Sequence, residues 1–90
     1  MLKEIKEDLK ITWDEEDERI KRIIERGKNY LENDIAGVKL DFVNNETNKS
    51  LLSDYCRYSY YNNLEYFEEN FQSQLLRLQL KSAVESFEES

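Results

Sequence analysis

Asp14-Glu15-Glu16-Asp17-Glu18-Arg19-Ile20-Lys21-Arg22-Ile23-Ile24-Glu25-Arg26-Gly27-Lys28-Asn29-Tyr30-Leu31 is the stretch that decides the fold class. Its acids come first and its bases later, the order that the dipole of an α-helix favours. Ile20, Ile23, Ile24, Gly27, Tyr30, Leu31 and, a turn further on, Ile35 fall in one arc at about 100° per residue. Thr12 and Glu15 read as a capping box at the start of this helix, the hydroxyl accepting from one amide while the carboxylate reaches back to another. Gly27 sits in the middle of the apolar arc, where it costs about 1 kcal/mol relative to alanine. Its expected use is therefore the close approach of another helix. Gly37 suits a left-handed C-terminal cap.

Working outward, Leu2, Ile5 and Leu9 make a short opening helix that stops near Lys10. From Val38 to Asn48 the period changes. Val38, Leu40 and Phe42 alternate as a short extended piece would, and Asn44-Asn45-Glu46-Thr47-Asn48 reads as a polar turn with a helix cap at Thr47 or Asn48. The next helix is read from Leu51 through Phe71. Leu51, Leu52, Tyr55, Tyr58, Ser59, Asn62 and Tyr66 share one side, and Cys56, Tyr60, Leu64, Phe67 and Phe71 form a second stripe. Residues 72–84 fit helix or strand by spacing; the scarcity of β-branched residues decides for helix. Residues 85–90 are expected to fray. The expectation is one all-α domain over residues 1–90. It is a compact bundle of about four helices (a short N-terminal helix, two long ones and a C-terminal one) with an irregular or extended connector around 36–47.

Composition narrows the chemistry. Charged residues make up 37% of the 90 and hydrophobic ones 39%, against about 25% and about 45–50% in an ordinary domain. So small and wet a chain has a modest core, and a helix with two apolar sides offers more surface than that core can cover. The stripe Cys56, Tyr60, Leu64, Phe67 and Phe71 is therefore read as a subunit or partner interface in preference to pure core. Tyrosine favours such places because it buries a ring and keeps a polar tip.

A net charge of -7 argues against ordinary duplex-DNA binding, which needs concentrated Lys and Arg. The aromatic cluster has only Arg57 among its acids, so a stacking platform for single strands is also disfavoured. The chain has no histidine, one cysteine and two glycines. That leaves no base for Cys56 as a nucleophile, no usual zinc site and no phosphate loop. The run Asp14–Glu18 reads as a solvated, dipole-favoured face, because calcium loops need acids at alternate positions around a glycine. No catalytic residue, cofactor or metal is expected. No apolar run approaches the roughly 20 residues of a membrane span. Met1–Glu7 alternates charge and hydrophobe, so no signal peptide is expected; with a lone cysteine, the cytoplasm is the simplest compartment.

The opening stretch from Leu2 to Asp17, the aromatic stretch from Asp54 to Phe71 and the leucine-rich run after it together resemble the small head–tail connector, or adaptor, proteins of tailed phages. The resemblance covers about Leu2 to Val84. It implies a helical structural subunit without catalytic residues, assembling as a homo-oligomeric ring of about twelve copies. The implied partners are the portal protein above and a tail-completion protein below. Double-stranded DNA would pass through the ring without sequence-specific binding. The implied location is the head–tail junction of the virion, with the host cytoplasm before assembly. The acidic start of the second helix, or the acidic tail, is expected to face the channel or solvent. The competing reading is an acidic helical DNA mimic or inhibitor that binds a basic partner.

Overall fold

In the computed structural model, residues 1–89 are described, and they fold as an all-α bundle with no strand among them. Helix α1 spans Leu2–Asp8, α2 Asp17–Asn29, α3 Glu46–Tyr60, α4 Phe67–Asn70 and α5 Gln72–Glu89. A π-helical segment, Tyr30–Ala36, continues α2 directly, and a 3-10 turn, Leu64–Tyr66, leads into α4.

α2 and α3 are the central pair. Ile20, Ile23, Ile24 and Leu31 meet Leu51, Leu52 and Tyr55 in one buried cluster, closed at one end by Ile5, Leu9 and Ile11 and along one side by Phe67, Leu75 and Leu78. Gly27 does what its place in the apolar arc implied. A Cβ there would lie 2.7 Å from Leu52 Cδ1 and 2.7 Å from Tyr55 Cδ1, so only a bare α-carbon lets the two helices come this close. Gly37 caps the π-helical segment with φ +73, in the left-handed region that glycine occupies without strain.

Local details differ from the sequence expectation, each for a physical reason. The capping box at Thr12 does not form. α2 starts later, at Asp17, with Glu16 at its N-cap, and Asp14 and Glu16 ahead of it are drawn into tertiary contacts with Lys6 and Tyr60. Lys6 Nζ of α1 lies 2.7 Å from both Asp14 Oδ1 and Asp17 Oδ1, which ties the opening helix to the head of α2. The α2 arc was expected to run on to Ile35 in α-helical register. The wider i→i+5 turn instead puts Leu31 and Ala36 on one buried face and leaves Ile35 half-buried.

The cap of α3 is neither Thr47 nor Asn48 but Asn45, whose side chain accepts from the Asn48 amide at 3.0 Å. Asn48 is buried and donates its side-chain amide to the Asp41 carbonyl at 3.2 Å. The connector before it is irregular, not a strand. The Asp41 carboxylate accepts from the amides of Val43 and Asn44, and Glu32 accepts from the Leu40 amide at 2.8 Å, which leaves Phe42 pressed into the core.

The largest correction concerns the helix read from Leu51 to Phe71. It ends at Tyr60. Asn62 takes φ +60, the Asn62 amide returns to Ser59 O at 3.1 Å, and the Asn63 amide returns to Tyr58 O at 2.8 Å. These 5→2 and 6→1 bonds are a left-handed C-terminal cap with asparagine in place of glycine. Lys10 closes α1 the same way, with φ +60, Lys10 N to Glu7 O at 3.1 Å and Ile11 N to Lys6 O at 2.8 Å. At the other end, α5 stays helical through Glu89 where fraying was expected from residue 85; Ser90 lies outside the described residues.

Candidate functional site

Because the chain turns back after Tyr60, the expected interface stripe does not exist as a continuous face. Cys56 is 0% exposed and Phe67 1% exposed, both inside the chain's own core. Phe67 is the hub of a ring panel. It meets Tyr55 edge-on at 5.5 Å and Tyr58 at 5.7 Å, and it stacks on Phe71 at 4.9 Å. Tyr30 closes the panel by stacking on Tyr55 at 5.6 Å. Its hydroxyl donates to Glu68 at 2.8 Å, and burial, then that carboxylate, push its ionisation well above the ordinary phenol range. The panel fastens α4 and the start of α5 to the central pair. Cys56 and Phe67 are therefore corrected from surface to core residues: a chain that reverses direction covers with α4 what one long helix would have left open.

The other three members lie nearer the surface. Tyr60 is half-buried in a polar joint. Its hydroxyl donates to Glu16 Oε2 at 2.6 Å, its ring carries the Arg19 guanidinium at 4.7 Å, and its carbonyl accepts from Arg19 Nη2 at 3.1 Å. Trp13 Nε1 donates to the same Glu16 oxygen at 3.0 Å. The Tyr60 bond, followed by that from Trp13, holds the Glu16 carboxyl below the usual carboxylate range. Part of the acidic run is thus a structural joint, while Asp14, Glu15 and Glu18 stay exposed. Phe71 is half-buried under Tyr58, and Leu64 is 38% exposed in the turn beside the exposed rings of Tyr61 and Tyr66.

The surface that the sequence reading missed is on α5. Leu76, Leu80 and Val84 are 52%, 58% and 56% exposed, and Phe87 continues the row. The opposite side, Leu75, Leu78 and Ser82, is buried against the body. The signal was available in the spacing of four between Leu76, Leu80 and Val84, which puts these side chains on one helix face. The alternation of Leu76, Leu78 and Leu80 hid it by resembling a strand.

Burial pushes the Cys56 thiol up to about 12, far from a reactive thiolate. Among the described residues, no group of three or more His, Cys, Asp or Glu stands together to hold a metal, and no helix is long and apolar enough to cross a membrane. Neither the curated proteins nor the solved structures give a match. A family model does match, over residues 1–90, the whole length of this helical chain with its outward apolar row. By that match the chain belongs to the phage gp6-like head-tail connector proteins.

Proposed function

We propose that this connector subunit assembles as a closed homo-oligomeric ring beneath the portal, lengthens the DNA channel and offers a docking surface to the next tail component. The observation that carries the reading is the α5 row. Leu76, Leu80 and Val84 lie open in a chain too small to spare apolar surface, and a contiguous exposed patch of this kind marks an association site. Heterologous contacts of one patch with a different one generate rings when the rotation closes.

A net charge of -7 suits a channel wall that lets DNA slide, since the chain as a whole repels phosphates weakly. The exposed acids Asp14, Glu15 and Glu18 face that channel or solvent. Leu64, with the rims of Tyr60 and Phe71, supplies a second, smaller contact for the portal or the tail protein, backed from inside by Cys56 and Phe67. The subunit acts at the head–tail junction of the virion and waits in the host cytoplasm until assembly. Its role is architectural and requires no catalytic group or cofactor.

Native mass spectrometry of the chain alone, and then mixed with the portal of the same phage, tests this. The expected result is a portal complex carrying about one copy per portal subunit. A lone monomer in both samples overturns the reading and favours the acidic inhibitor of a basic protein.

A further inference from the structure

The α5 row needs a seat, and the same chain contains one. Between the first half of α3 and α5 runs a groove of about 690 Å³. Its floor is Leu51 and Leu78, its α3 wall carries Glu46 and Asp54, and its α5 wall carries Arg77 and Lys81. The two cations are exposed and make no ion pair among the described residues. We infer that this groove receives the Leu76–Leu80–Val84 row of a second copy of the chain, so that groove and row are the two unlike halves of one head-to-tail subunit contact. The assignment rests on the ring reading above and names the surfaces that would make it.

Three features select this occupant. Lengths agree: Glu46 to Asp54 on the groove wall and Leu76 to Val84 on the row are each eight residues of helix apart, about 12 Å. Charges agree in one orientation. Along the span of the row, at about 100° per residue, α5 is flanked on one side by Arg77 and Lys81 and on the other by the uncharged Gln79 and Ala83, with Glu88 on the first flank only beyond the row's end at Val84. Seated with its cationic flank on the Glu46–Asp54 wall, the incoming helix brings opposite charges together. Its uncharged flank then lies along the cationic wall. Reversed, it would set cations against Arg77 and Lys81, a juxtaposition that costs affinity and so specifies the pairing. Finally, the groove floor at Leu78 and the row lie on different faces of α5, with Arg77 and Lys81 on the edge between them, so the surface that gives and the surface that receives are unlike, as a head-to-tail ring contact requires.

The test uses the full chain with its portal. A Ser50→Cys/Leu80→Cys double variant places one thiol on the groove wall and one in the row; native Cys56 is buried and stays out of reach. Under mild oxidation of the portal complex it is expected to give a covalent ladder of copies, whereas either single variant alone gives none. Arg77→Glu/Lys81→Glu is expected to weaken ring loading about tenfold or more, and adding Glu46→Lys/Asp54→Lys to restore it. A fully loaded portal complex with no ladder and no charge rescue overturns this pairing and leaves the ring reading standing. No portal complex from the unaltered chain removes both.

Discussion

Gly27 shows at the scale of one residue how packing overrides propensity. Alanine there gains about 1 kcal/mol of helix propensity, yet its methyl would sit 2.7 Å from the Tyr55 ring, which is buried between Tyr30 and Phe67. Overpacking of this kind costs about 1–3 kcal/mol. Gly27→Ala is therefore expected to lower the urea midpoint, and a gain in stability would mean that α2 and α3 leave room for a methyl between them. Cys56 makes the complementary point. With the thiol at 0% exposure and pushed up to about 12, labelling by a thiol reagent at neutral pH is expected to proceed only through opening of the core. Its rate should rise in step with the unfolded fraction as urea is added; fast labelling of the native chain would place Cys56 on a surface.

At the scale of elements, two reversals decide the shape: Lys10 after α1 and Asn62 after α3, both at φ +60. Asparagine tolerates this conformation better than lysine, whose Cβ is strained there by roughly 1–2 kcal/mol. Lys10→Gly removes that strain and adds back part of it as unfolded-state entropy, for an expected gain of about 0.5–1 kcal/mol. Thermal melts would register it as a higher Tm, and an unchanged or lower Tm would show that the Lys10 side chain contributes more than its strained backbone costs. Asn62 is also the residue that turns a candidate surface into a core. By ending α3 it lets α4 fold back, so that Phe67 meets Tyr55 and Tyr58 instead of solvent.

For the whole molecule, ion pairs between elements set the response to pH. Lys49 of α3 lies 2.7 Å from Glu4 of α1, while Lys6 bridges to Asp14 and Asp17 at the head of α2. Hydrogen bonds to these lysines hold the Glu4 and Asp14 carboxyls below their ordinary values; Tyr60 does so for Glu16, and the Asn44 and Val43 amides do so for Asp41. A lowered carboxyl binds fewer protons folded than unfolded, so its contribution is present above the ordinary carboxylate range and is lost as pH falls through that range and beyond. Lys6 and Lys49 are raised, chiefly by bonds to Asp14 and Glu4, so theirs is lost only as pH rises above the ordinary lysine range. Stability is expected to be flat around neutrality and to fall below pH ~4.5, and Glu16→Gln should make that acid fall shallower. Melts from pH 7 to 3 check this, and a Tm that rises on acidification would contradict it.

The order of charges from Asp14 to Lys28, the isoleucine arc of α2 and Gly37 past its end were legible along the chain because each acts within a few residues of itself, and Gly27 was legible because a costly glycine inside an apolar arc implies a close neighbour. They were enough for an all-α fold, and the pattern of the opening and aromatic stretches carried the family. What only the tertiary structure decided was which apolar side faces inward. Helical spacing groups side chains into faces but says nothing of what covers a face, and one left-handed asparagine reassigns every face after it. Thus Cys56 and Phe67 went to the core, the acids at Glu16 and Asp17 became joints, and the open row moved to Leu76, Leu80 and Val84.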